Sequence, residues 1–405
     1  MNTETQHFII EHEKDDLFSL KLNYKNDSKV DIEMAIRQIH GKQKIKLKVP
    51  LFYNSESVFY PAQLSLEQSS SQSTAQYKSS ICNGNSLVDL TGGFGVDCFF
   101  MSEHFKQVTY VEHQEELCNL AVHNFRALNR NHIRVIHSET EIFLEEMNHA
   151  DWIYIDPARR STIGKKVVIL SDCEPDVSIL YPKLLEKATM VMIKLSPMMD
   201  ISAAIRDLPV TTEIHIISVE NECKEVLLIL NQTVGNKIKV KTINFGKNKE
   251  NQLFEYFPDD ELNAEVSISL KVDKYLYEPN AAIMKSGAFK LVGNRFQIHK
   301  LNKNTHLYTS NELFPDFPGR IFEVTGHQGI SKKELKNLVH RIPKANISIR
   351  NFPLSVDEIR NKLKIKDGGD IYLFACTIGD EQKVIIETKK LTNLKINQFE
   401  NLKMK

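Results

Sequence analysis

The chain has 405 residues, 41% hydrophobic and 26% charged, an ordinary globular composition with enough apolar material for two or three domains. Its 52 Lys and Arg balance 52 Asp and Glu, which argues against nucleic-acid binding driven by bulk charge but leaves local patches open. No run approaches the roughly 18 uncharged apolar residues of a membrane span. The acidic start MNTETQHFIIEHEKDD lacks a signal-peptide core, and the six cysteines show neither CxxC nor zinc-finger spacing. A cytoplasmic protein with reduced thiols, no membrane and no metal is expected.

Residues 1–60 read as mainly helical, with Ile32, Ile36 and Ile39 on one face. Lys42, Lys44, Lys46 and Lys48 then alternate with Ile45, Leu47 and Val49, a pattern that fits a basic strand edge or a continuing helix. The Ser/Gln segment 65–80 has linker composition; an ordered cap or short helix is expected there instead, on the family resemblance given below. From residue 86 the pattern repeats as strand, turn, helix. SLVDL, QVTYVE, HIRVIH, DWIYI, TMVMIKL, EIHIISVE and EVLLIL are seven apolar strands. The first five are separated by helical stretches. The expected fold class is α/β, a Rossmann-like seven-stranded sheet covered on both faces, with a reversed strand near one edge. After about residue 236 the alternation stops. Residues 265–330 read as short strands and turns broken by FPDFPGR, and 331–390 as a compact α+β module. Residues 321–405 hold 16 Lys and Arg against 10 Asp and Glu, a local basic excess, and the tail after 390 is expected to fray.

The chemistry lies at the strand ends. In DLTGGFG, Gly93 and Gly95 stand where a strand turns into a helix, and glycine there allows positive φ and close ligand approach. The dinucleotide fingerprint is not met, because position 98 is Cys, and no GK[ST] of a phosphate loop follows. Instead Asp89 precedes the glycines at the end of the first strand and Glu112 ends the second. An acid at that second position accepts both hydroxyls of a ribose. The pair suits a nucleoside with a cationic centre and no pyrophosphate, such as S-adenosylmethionine, with Asp89 on its ammonium and sulfonium side. In DPAR, Asp156 ends the fourth strand and faces the same crevice, where it can accept a hydrogen bond from a substrate N–H, while Pro157 stiffens the turn. Arg159 and Arg160 are candidate phosphate contacts or plain exposed loop charges. Lys194, ending the fifth strand, either orients substrate, contacts phosphate or pairs with an acid such as Asp156. Glu139, past the third strand, is a candidate adenine-side acid.

The order acid–GxG, Glu, DPAR resembles class I S-adenosylmethionine-dependent methyltransferases. The RNA uracil-C5 branch of that class is similar at DLxxGxG and DPAR, but its nucleophilic cysteine corresponds here to Leu195 in KLSP, so that chemistry is not expected. The segments LSLEQSSSQSTAQYKSS, DLTGGFGVD, DWIYIDPARR, IKLSPMMDI, YLYEPNAAIMKSGAFK and ANISIRNFPLSVDEIRNKLKIKDGGDIYLFA resemble a bacterial methyltransferase family with a ferredoxin-like module and a C-terminal THUMP-like domain. The resemblance implies an N-terminal helical region (1–80), a methyltransferase domain (81–235), a ferredoxin-like module (236–325) and a THUMP-like domain (326–395). It implies that the Ser/Gln segment closes over the cofactor, bringing Tyr77 and Lys78 to the site. It also implies RNA, tRNA or rRNA, as partner and substrate. Methylation of a protein or small molecule, and a non-catalytic RNA-binding scaffold, stay open as alternatives, as does the oligomeric state.

Overall fold

A computed structural model of the chain describes residues 1–24, 29–159, 169–232, 237–247 and 251–391, except the side chains of 159 and 339. The chain divides into two compact units, Met1–Ile214 with Glu225–Lys237, and His215–Lys224 with Ile238–Lys405.

The first unit opens with helices. In helix Ile32–Lys48 the Asp31 carboxylate accepts from Met34 N–H, and Ala35, Ile39 and Ile45 are buried. The alternating lysines therefore lie on a helix, where residues two apart point in divergent directions. Lys42 pairs with Glu13 at 3.3 Å, Lys46 lies over the Tyr53 ring, and Lys48 donates to the carbonyls of Leu66 and Glu67. The Ser/Gln segment forms helices Gln63–Gln68 and Gln72–Ser80.

The sheet follows: β1 Ser86–Asp89, β2 Gln107–Glu112, β3 Ile133–His137, β4 Ala150–Ile155, the short β5 Ala158–Arg159 and β6 Cys173–Glu174, then β7 Ala188–Leu195, β8 Thr211–Val219 and β9 Glu222–Asn231. These seven stand consecutively in a nine-stranded sheet, in the order β8-β9-β7-β4-β1-β2-β3. The pairs from β7 to β3 are parallel and β9 runs antiparallel to β7, so β9 is the expected reversed strand. Leu87, Ile153, Ile155, Val191, Ile193, Leu228 and Leu230 are essentially solvent-free. Each contributes about 1.5–3 kcal/mol of burial. β5 and β6 pair antiparallel and pin the residues that follow Asp156.

In the second unit come β10 Lys239–Phe245 and β11 Asn251–Tyr256, an antiparallel pair. They are followed by β12 Tyr275–Pro279, β13 His299–Lys300, β14 Tyr308–Ser310, β15 Gly319–Gln328, β16 Asn346–Arg350, β17 Ile371–Ile378 and β18 Gln382–Lys390. The last seven form one sheet in the order β13-β14-β12-β15-β18-β17-β16. Residues 265–330 are not only strands and turns. Helices Ala281–Ser286 and Phe289–Arg295 interrupt them, the first capped by Asn280 and ended by Gly287 in the left-handed region. At six and seven residues they are too short for periodicity to reveal. Helices Lys332–Arg341 and Val356–Leu363 each begin with a reciprocal Ser/Glu capping box. They bury Leu338, Ile342, Ile359 and Leu363 against Leu373, Ala375 and Ile385.

Candidate functional site: a crevice of acids at the strand ends

The parallel register brings the candidate residues to one end of the first unit. Asp89 closes β1 and Glu112 closes β2. Ile155 is paired with Ile193. Asp156 and Lys194, one residue further on each strand, therefore lie side by side, and the Lys194 ammonium donates to Asp156 Oδ2.

The glycine loop is built as the sequence requires. Gly93 (φ 56°) and Gly95 (φ 80°) are both left-handed, where a Cβ is penalised. A Cβ on Gly95 would also stand 2.9 Å from the Phe125 ring. Gly93 N–H donates to Glu112 Oε2 at 2.9 Å, while Gln114 N–H donates to Oε1. The Tyr110 hydroxyl donates to the Gly93 carbonyl at 2.6 Å. Loop and second strand end are thereby locked together; Glu112 Oε1 also lies 3.0 Å from His113 Nδ1, while Oε2 accepts, among the described residues, only the Gly93 N–H and keeps a lone pair.

Asp89 is 1% exposed and accepts one backbone N–H, from Thr91. Burial pushes its carboxyl well above the usual carboxylate range, and the neighbouring charges of Asp97, Asp156 and Glu112 push the same way. A cation beside it would favour ionisation. This donor set fits a nucleoside carrying positive charge: Asp89 for the charge, Glu112 for vicinal hydroxyls, and the glycine loop for close backbone approach.

A second layer lies beneath Asp156. Asp97 accepts from the Ser70 and Tyr154 hydroxyls at 2.7 and 2.6 Å. It pairs with Lys78 at 3.1 Å and Lys194 at 3.8 Å. Lys78 is 0% exposed and donates to Glu225 Oε1 at 2.5 Å. Burial alone would raise Asp97, but the two lysines and two hydroxyls hold it below the ordinary range. Burial raises Glu225 despite Lys78. Burial works against the Lys194 ammonium, and Asp156 with Asp97 more than offsets it, so the lysine stays charged.

Asp89, Gly93, Gly95, Glu112, Asp156, Lys194 and Lys78 therefore share one region. Pro157 is buried in the turn behind Asp156. Tyr77 is half-buried on helix Gln72–Ser80, and Glu139 is exposed at the N-cap of helix Thr140–Glu146. The Arg159 side chain and all of Arg160 lie outside the described residues. Leu195 is buried. Cys98 is buried with its thiol pushed well up by burial and by Asp89 and Asp97, which denies it thiolate character. Sequence reasoning missed Asp97 as more than a first-turn helix acid, and missed Glu225. Asp97 is a lone acid inside the apolar run VDCFFM, and that placement was the available signal; Glu225 follows Lys224 at the start of EVLLIL, where it reads as an ordinary strand-end charge.

A parallel sheet with an acid–glycine loop, a second-strand acid and an Asp-Pro at the fourth strand end defines a class I methyltransferase fold. A crystal structure of a presumed methyltransferase from Porphyromonas gingivalis W83 is 32% identical, with a TM-score of 0.86, and the match covers 96% of this chain and 98% of that one. Residues 275–318 match a ferredoxin-like domain model and 319–390 a THUMP domain-like model. The chain belongs to this family, class I S-adenosylmethionine-dependent methyltransferases with a ferredoxin-like module and a C-terminal THUMP-like domain. The two matched stretches share one sheet, since β12 of the first pairs along its length with β15 of the second. The chain also matches an rRNA methylase from Streptococcus thermophilus, at 14% identity over 39% of this chain and 94% of that one, with a TM-score of 0.31. No functionally curated protein matches the chain.

Proposed function

We propose that the protein transfers a methyl group from S-adenosylmethionine to a base nitrogen in structured RNA, without a cysteine nucleophile. The observation that carries the reading is the pairing of Asp156 with Lys194 at the same strand ends that carry Asp89, Gly93 and Glu112. Asp89 and Glu112 hold the cofactor, and the left-handed Gly93 and Gly95 let the backbone approach it. The cofactor supplies an electrophilic methyl group on a sulfonium. Lys194 occupies one oxygen of Asp156, whose side chain is 34% exposed. The other oxygen accepts the acceptor N–H, orients the nitrogen, and receives its proton. Pro157 keeps that carboxylate in place, and Arg159 is assigned to an RNA phosphate.

RNA as acceptor is supported by the THUMP-like match over 319–390 and by the basic excess of residues 321–405. The test incubates the purified protein and its Asp156→Ala variant with labelled S-adenosylmethionine and RNA from a strain lacking the gene. The digested nucleosides are then read by mass spectrometry. A labelled nucleoside made by the wild type and not by the variant is expected, and it names the base. Unlabelled RNA with cofactor binding intact overturns RNA as acceptor.

A further inference from the structure

We propose that Lys78, delivered from the cap helix Gln72–Ser80, is a positioning residue for Asp156, acting through Glu225, Asp97 and Lys194. This inference rests on the methyltransferase reading of the same site.

The chain of contacts is continuous. Lys78 Nζ is 2.5 Å from Glu225 Oε1 and 3.1 Å from Asp97 Oδ1. Lys194 Nζ is 3.8 Å from Asp97 Oδ2 and donates to Asp156 Oδ2. Five elements meet here: the cap helix through Lys78, helix Val96–Met101 through Asp97, β4 through Tyr154 and Asp156, β7 through Lys194, and β9 through Glu225. Among the described residues, Asp89 of β1 and the Ser70 hydroxyl also face the cluster. The β7–β9 register explains the meeting of the last two strands. Leu195 pairs with Val226, so Glu225 is one step further along, level with the end of β7.

Docking the cap helix does not by itself call for this arrangement. A buried ion pair replaced by apolar residues of similar volume is often neutral or stabilising. Yet the buried face of this helix carries Thr74, Ala75, Lys78 and Ser79. The charge has a use within the cluster. Two ammonium groups face Asp97, Asp156 and Glu225. With Lys78 bound to Glu225 and Asp97, Lys194 is left to Asp156. Without Lys78, Lys194 becomes the single cation among the described residues for these three carboxylates. Asp97, deprived of Lys78, then competes for it, with Glu225 adding to the competition where it is kept; the cluster takes up a proton, and Asp156 loses its fixed oxygen.

The test compares the full-length wild type with Lys78→Met, Lys78→Arg and the charge-balanced double variant Lys78→Met with Glu225→Leu. The double variant guards against misfolding caused by an unpaired buried acid. S-adenosylmethionine binding is measured by calorimetry in two buffers of different ionisation enthalpy, which counts protons exchanged. Methyl transfer to RNA from a strain lacking the gene is followed between pH 5.5 and 9. Both variants that lack a charge at 78 are expected to bind the cofactor within about threefold of the wild type, with altered proton exchange. Their transfer rate is expected to fall about tenfold or more at pH 7, the acid limb moving up by about one pH unit. The arginine variant is expected to keep the wild-type acid limb. A double variant with wild-type rate, pH profile and proton exchange overturns the proposal and leaves Lys78–Glu225 as a plain structural pair. If the wild type labels no RNA, the RNA reading falls alone, and the proton count still decides: equal counts in wild type and Lys78→Met overturn the positioning role.

Discussion

Glu112 combines two tasks that are usually described separately. Its position at the end of β2 suits a ribose, while its Oε2 already anchors the glycine loop through Gly93 N–H. Glu112→Ala is therefore expected to weaken S-adenosylmethionine binding by roughly 1–3 kcal/mol, through lost charge-assisted hydrogen bonds and a loosened loop. Calorimetry checks this, and unchanged affinity would remove Glu112 from the cofactor site. Gly95 is constrained twice, by φ of 80° and by the Phe125 ring. Gly95→Ala is expected to lower the unfolding free energy by about 2–4 kcal/mol, from left-handed strain and overpacking together. A urea midpoint within error of the wild type would contradict that. The glycines and the two strand-end acids were legible because their chemistry is local to a few residues. Asp97 and Glu225 were not, because a buried acid shows its role only through partners that come from other elements.

At the scale of elements, the helix Gln72–Ser80 was expected from the family resemblance and not from pattern. Its inward face is small and polar, so neither hydrophobic periodicity nor composition separates it from a linker. The capping boxes before 332 and 356 are the opposite case, written entirely in Ser-x-x-Glu spacing. Ser355→Ala is expected to cost about 1 kcal/mol in the urea midpoint, and a neutral result would mean the helix is held by its packing alone. The turn before β14 carries a pH signature. His306 is stacked on Phe289 at 3.7 Å. Burial, helped by Lys300 and Arg350, lowers its imidazole pKa to about 4. Between about 4 and the unperturbed value near 6.5 the unfolded chain binds a proton that the folded chain does not. Stability therefore falls as pH drops through that window. With screening allowed for at this half-buried site, the effect is on the order of 1 kcal/mol. Urea midpoints at pH 7 and 4.5 should differ less in His306→Gln than in the wild type, and equal differences would refute the assignment.

For the whole molecule, zero net charge conceals a basic C-terminal stretch balanced by an acidic remainder. If that stretch docks RNA through phosphates, the logarithm of affinity should fall linearly with the logarithm of salt concentration, by about 0.7–0.9 per phosphate contacted. RNA binding by the full chain that is insensitive to salt would point to base stacking or to a different acceptor. The β12–β15 pairing joins the ferredoxin-like and THUMP-like stretches in one sheet. A cut between residues 318 and 319 would break that ladder, so the two are expected to unfold together. Two separate thermal transitions for this region would argue otherwise.

The amino-acid order by itself determined the alternation of strands and helices, the glycine loop, and the acids at the strand ends, since each depends on residues adjacent along the chain. It also carried the family, through motifs distributed over nearly the whole length. Only the tertiary structure decided that the lysine alternation is helical, that the sheet runs through both C-terminal modules, and that Lys78, Asp97, Lys194 and Glu225 form one charged cluster. Those features depend on register between strands far apart in sequence. They also depend on desolvation, which turns an ordinary surface lysine or acid into a group that must find a partner.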